Sequence, residues 1–143
     1  SMISFWTRQT RPAESVLAEQ EMNTGKNNEV LVAMRNQALD LMKLLYDEHF
    51  SIEKFGRVVH EGWVMKRQLA SKICNDAINT YYEIAMQHGA YGGKISGAGG
   101  GGFLNIFASS DTQDEIVAEL KKLGIAPYKF NFAARGTTVI EVE

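Results

Sequence analysis

The residues best suited to chemistry sit in one run, Lys94-Ile95-Ser96-Gly97-Ala98-Gly99-Gly100-Gly101-Gly102-Phe103-Leu104. Glycine loses more backbone freedom on folding than any other residue, so a stretch this rich in it is costly to order. Such a loop suits a place where a Cβ would collide with a phosphate, another strand or a second domain. Successive free backbone N–H groups also make concave anion sites. A bare hairpin is the alternative, although a hairpin needs only one or two glycines for positive φ. Gly97, Ala98, Gly99, Gly100, Gly101 and Gly102 satisfy G-x-G-x-x-G, but the dinucleotide fingerprint requires a helix straight after the glycines. Phe103-Leu104-Asn105-Ile106-Phe107 reads instead as a strand, and no Gly-Lys-Ser/Thr closes the loop, which excludes a Walker A motif.

Basic side chains form the second group. At about 100° per residue, Lys66 falls between Phe55 and Val59 on the helical wheel, on an apolar stripe. Such a lysine either snorkels to water or meets an anion. Trp63 and Arg67 flank it, with His60 beside Arg67, and Gly62 one turn earlier marks a place of close approach. His49, His60, His88 and Cys74 have no metal-ligand spacing, so no metal site is expected. Cys74 reads as buried filler, and Glu14, Glu19 and Glu21 as an ordinary helix surface.

The elements that must position these groups follow from pattern. Ile3 to Thr7 reads as a strand. Thr10 is placed to cap a helix with Pro12 in its first turn, running to Met22. Leu31, Met34, Ala38, Leu41 and Leu45 recur three and four apart, a one-face helix whose plain meaning is core packing. Ser51 opens a third helix, expected to reach about Ile73. Asn75-Asp76 starts a fourth, with Ile78, Tyr81, Tyr82 and Ala85 inward and Gly89 as its left-handed terminator. Ala90 to Ser96 and Phe103 to Ala108 are strands on either side of the loop. Ser110-Asp111-Thr112-Gln113 reads as a capping box before a helix with Ile116, Val117, Leu120 and Leu123 on one face. Tyr128 to Phe132 and Thr138 to Val142 alternate as strands, with Gly136 in the turn between them. The expected fold class is α+β, a mostly antiparallel sheet with helices packed on one face.

The sequence has 143 residues, a net charge of −2 and one cysteine. That length suits one domain. The charge argues against a nucleic-acid or anionic-membrane partner, and the lone cysteine suits a reducing compartment. No apolar run approaches the roughly 20 residues that span a bilayer. The expected setting is the cytoplasm. Ser1-Met2 reads as a cloning remnant, leaving 3–143 as the domain, which opens in mid-strand.

Lys94 to Leu104 resembles the third conserved motif of the superfamily that joins galactokinase, homoserine kinase, mevalonate kinase and phosphomevalonate kinase (GHMP), close to its Lys-x-x-Gly-Ala-Gly-Gly-Gly-Gly form. Thr10-Arg11-Pro12-Ala13 with Leu17-Ala18-Glu19-Gln20, and His60-Glu61-Gly62-Trp63 with Lys66-Arg67-x-Leu69, resemble the bacterial heptose 7-phosphate kinase branch. The sequence departs from that branch at Arg8-Gln9, where a glycine-bearing segment is expected. The resemblance implies a C-terminal kinase domain of ferredoxin-like character whose glycine loop faces ATP phosphates across a cleft. It also implies an N-terminal domain in cis as partner. That domain would hold most of the ATP and Mg2+ contacts, the second Gly-Leu-Gly-Ser-Ser-Ala-type motif and the catalytic base, leaving no catalytic residue in this chain. The implied reaction moves the γ-phosphate of ATP to the anomeric hydroxyl of D-glycero-D-manno-heptose 7-phosphate. Arg11, Lys66, Arg67 and Lys72 are then candidates for the phosphorylated sugar. A kinase for fucose or mevalonate, or a stand-alone metabolite-binding module, are the other readings.

Overall fold

The strand that opens the chain lies inside the sheet. In a computed structural model, which describes residues 1–134 and 136, the order is β1 (Met2–Trp6), α1 (Ala13–Met22), α2 (Asn28–Leu45), α3 (Ile52–Arg67), a 3-10 turn (Ser71–Ile73), α4 (Asp76–Gln87), β2 (Ala90–Ile95), β3 (Phe103–Ala108), α5 (Ser110–Lys122) and β4 (Pro127–Tyr128). The sheet order is β2-β3-β1-β4, and every pairing is antiparallel. This is the α+β architecture the pattern implies. Ser1 and Met2 belong to the ladder: the N-terminal ammonium donates to Ala108 O, and Met2 pairs with Phe107.

Strand alternation decides where the core sits. Ile3, Phe5, Leu104 and Ile106 join one buried cluster with Ile78, Tyr82 and Ala85 of α4 and Ile116 and Leu120 of α5. Removing a fully buried side chain of this kind costs about 2–5 kcal/mol. On the other side of the same strands, Trp6 and Phe103 pack at 5.1 Å between ring centroids, and Phe103 meets Tyr128 at 5.2 Å. α3 rides directly on β2, because a Cβ on Gly56 would stand 2.6 Å from Tyr91 Cβ.

Two helix starts behave as their sequences dictate. Ser51 Oγ accepts from Lys54 N, and Asn75 Oδ1 accepts from Ile78 N, each satisfying an N–H that the first helical turn leaves unpaired. Gly89 ends α4 at φ 90°.

Other boundaries differ from expectation for physical reasons. Pro12 itself occupies the N-cap of α1 and Thr10 makes no cap bond, because Pro12 sits at ψ 121° and the helix begins only at Ala13. The third helix ends at Arg67 rather than Ile73. Asn23 and Asn27 both donate their amide groups to Leu69 O, and Ala70 turns extended. The cap of α5 is Ser109, one residue early, with its hydroxyl against Thr112 Oγ1 at 3.1 Å. Of the expected Tyr128–Phe132 strand only Tyr128 pairs with β1, together with Pro127 just before it. The expected strand Thr138–Val142 lies outside the described residues. α2 is the largest departure: its amphipathic face exists, yet none of its residues is fully buried. That face borders a cleft against α3, and its Leu31 and Met34, only partly buried, pack against the core from its edge.

Candidate functional site

β2 and β3 deliver the glycine loop, and the bond from Ser96 N to Phe103 O closes its neck at 2.9 Å. Beyond that neck the loop divides in two. Gly100 N donates to Ile73 O at 2.7 Å, and Gly102 N donates to Gln9 O at 2.9 Å. Thr7, itself buried, donates both its amide and its hydroxyl to Gly102 O. A Cβ on Gly99 would stand 2.8 Å from Ile73 O, and one on Gly100 would stand 2.7 Å from Lys72 O. A Cβ on Gly101 would collide with Gln9 O. Here the absent side chains allow backbone to meet backbone. Gly97, by contrast, has no atom within 4 Å of its Cβ position. The amides of Gly97, Ala98, Gly99 and Gly101 donate to no described residue; Gly101 is buried, and the other three are donors an anion could use.

The seat beneath the loop is held from several sides. Glu19 reaches from α1 to accept Ser71 N at 2.6 Å. That bond, with the nearby Lys72 charge behind it, holds the Glu19 carboxyl below its ordinary range. Asn75, besides capping α4, donates to Gln9 Oε1 at 2.6 Å. Glu19 therefore does more than decorate a helix surface. Thr7, Gln9, Glu19 and Asn75 escape sequence reasoning because their partners lie 52 to 95 residues away. Only the cap signal at Asn75 is visible locally.

The four basic candidates separate. Lys66 Nζ donates to Gly97 O, which brings it to the open half of the loop. Burial, and then the charge of Lys94, push its pKa down. Arg11 lies against the seated half, its Cδ 3.1 Å from where a Cβ on Gly100 would be. Lys72 contributes its carbonyl beneath Gly100 while its side chain is exposed. Arg67 points elsewhere: it donates to Asn79 Oδ1 at 3.0 Å and lies 6.0 Å from the Trp63 ring centre. Adjacent positions on a helix diverge by about 100°, so Lys66 and Arg67 cannot both face the loop. Gly62 is indeed a point of close approach, to Gln37 of α2.

The remaining groups have local partners. Cys74 is half-buried, its thiol donates to Asn79 Oδ1 at 3.0 Å, and burial pushes its pKa up. His60 Nδ1 meets the Tyr82 hydroxyl at 2.7 Å, and burial raises the Tyr82 pKa to about 12. His88 Nδ1 lies 2.9 Å from Glu115 Oε1. Among the described residues no three His, Cys, Asp or Glu side chains converge to hold a metal ion. No described helix is long and apolar enough to cross a membrane.

Comparison with known proteins gives the family. The chain is 26% identical over 136 residues to the D-glycero-alpha-D-manno-heptose 7-phosphate kinase of Campylobacter jejuni, covering 94% of this chain and 40% of that protein. It is 30% identical over 108 residues to the L-fucokinase/L-fucose-1-P guanylyltransferase of Bacteroides fragilis, covering 73% of this chain and 11% of that one. Its fold matches the phosphomevalonate kinase of Streptococcus pneumoniae, solved with phosphomevalonate and AMPPNP, at a TM-score of 0.76 and 19% identity, over 90% of this chain and 38% of that one. This chain thus spans less than half the length of each of these relatives. The GHMP kinases C terminal family matches residues 30–126, more than half of the sequence, and the chain belongs to that family.

Proposed function

We propose that this chain works as the C-terminal half of an ATP-dependent sugar kinase of the cytoplasm. Its acceptor is the anomeric hydroxyl of D-glycero-D-manno-heptose 7-phosphate. The observation that carries the reading is the alignment over 94% of the chain with a heptose 7-phosphate kinase. The open half of the loop adds to it, with free amides beside Lys66 that suit phosphate. Phosphoryl transfer depends mainly on positioning and charge stabilisation, which fits a loop clamped at one end and open at the other. In this reading an N-terminal domain in cis supplies the remaining ATP contacts, the Mg2+ ligands and the catalytic base. The loop meets the phosphates, and Arg11, Lys66 and Lys72 are the substrate-side candidates, Arg67 being turned to Asn79.

The test joins this chain to the N-terminal domain that its relatives' length implies and measures ADP release. Heptose 7-phosphate should outperform fucose and mevalonate by at least tenfold in kcat/KM. A preference for fucose or mevalonate would move the assignment to another GHMP kinase. Metabolite binding without turnover would leave only a binding module.

A further inference from the structure

Lys66 and Lys94 are two cations that share a cleft without an acid. Lys66 sits in the last turn of α3 and Lys94 is the fifth residue of β2, two residues before Ser96 at the loop's neck. Both line the same cavity of about 200 Å³ between α2 and α3, walled by Met34, Leu41, Val59 and Trp63. Lys66 is half-buried, and the one hydrogen bond its ammonium makes among the described residues goes to the Gly97 carbonyl. The carboxylates of the described ion pairs lie with other partners: Asp40 with Lys43, Glu53 with Arg57, Glu119 with Lys122 and Glu115 with His88. Lys94 instead raises the energy of the Lys66 charge, and no carboxylate offsets it.

Two like charges held together against an apolar wall are stabilised by an anion that touches both. A phosphoryl dianion has the charge and the acceptor oxygens to do so, and the unpaired amides of Gly97 and Ala98 add donors at the same end. We propose that Lys66 and Lys94 together form the subsite for the phosphoryl group the substrate already carries before transfer. Lys94 was not among the basic candidates, and Arg67, turned to Asn79, lies outside this subsite. That the phosphoryl group belongs to a sugar rests on the function proposed above; the dianion site itself rests on the two lysines.

The experiment uses the 143-residue chain. Amide and lysine side-chain NMR shifts are followed on titration with heptose 7-phosphate, unphosphorylated heptose, inorganic phosphate and ATP. The proposal expects heptose 7-phosphate and inorganic phosphate to move Gly97, Ala98, Lys66 and Lys94. Affinity should fall about tenfold to a hundredfold in K66Q and in K94Q, the usual worth of a charge-assisted bond. K122Q, on the far helix α5, should bind as wild type does. Lys94 is exposed, so K94Q tests the site even where K66Q disturbs the loop. Equal binding of heptose with and without its phosphate overturns the proposal, as does unchanged affinity in both lysine variants. Displacement of inorganic phosphate from these lysines by ATP but not by heptose 7-phosphate assigns the site to the nucleotide and overturns it as well. Inorganic phosphate bound through both lysines without heptose 7-phosphate binding sustains the dianion site and removes the heptose assignment. Heptose 7-phosphate bound with both variants unaffected does the reverse.

Discussion

At Ser96 and Gly97 the glycine loop faces solvent and Lys66, whereas from Gly99 to Gly102 its backbone is pressed onto Ile73, Lys72 and Gln9. The same residue type serves two ends within seven positions. In the seated half, glycine removes a Cβ so that carbonyl and amide groups from distant segments can approach. In the open half nothing packs against the Cβ position of Gly97, so glycine serves there only to permit left-handed backbone, φ 78°, as it also does at Gly99, Gly100 and Gly102. Rigidity at one end lets the other present donors without collapsing onto the fold, the preorganisation that electrostatic catalysis requires.

Substitutions that add one methyl group should separate the halves. G101A is expected to do most damage. Its Cβ meets the Gln9 carbonyl, a backbone atom that cannot swing aside, so the cost is about 3 kcal/mol or more. Thermal unfolding of the chain reads this as a drop of roughly 10 °C or more. Next comes N75A, which removes both the α4 cap and the bond to Gln9 Oε1. The expected loss is about 1–2 kcal/mol. G97A should cost only about 1 kcal/mol, from the left-handed backbone alone, because nothing surrounds the new methyl. If G97A unfolds the chain as readily as G101A, the open half is not open and the distinction fails.

The sequence carried one half of this picture better than the other. That the loop joins two strands was legible from the apolar runs on each side, and the caps at Ser51 and Asn75 from residue type alone. The seat was not legible, since it is a three-residue turn whose shape comes from Glu19, Asn23 and Asn27 reaching in from α1 and the segment after it. The face on α2 was legible as a face, and Leu31 and Met34 do pack against the core, though none of its residues is fully buried. Periodicity reports that Leu31, Met34 and Leu41 lie together, not what covers them. The wheel put Lys66 among apolar neighbours, where it is half-buried, but its bond to Gly97 crosses 31 residues. Arg67 looked equivalent to Lys66 by composition, and only Asn79 shows that it turns away.

The smallest expected effect lies at Arg8. Arg8 has φ 58°, and among the described residues it is the one non-glycine in left-handed backbone. It precedes Gln9, whose carbonyl accepts Gly102 N, so the strained residue helps deliver a contact that holds the seated half. Left-handed backbone costs a side-chain-bearing residue about 1–2 kcal/mol. Glycine removes that cost but gives the unfolded chain more freedom, worth about 0.4–1 kcal/mol in the opposite direction. R8G should therefore stabilise the chain by about 0.5 kcal/mol, measured by denaturant unfolding, while R8A, which keeps a Cβ, should gain nothing. Equal gains from R8G and R8A would locate the penalty in the arginine side chain rather than the backbone. The tight approach of Gln9 to Gly101 and Gly102 would then owe nothing to strain at Arg8, and the seated half would be held by its hydrogen bonds alone.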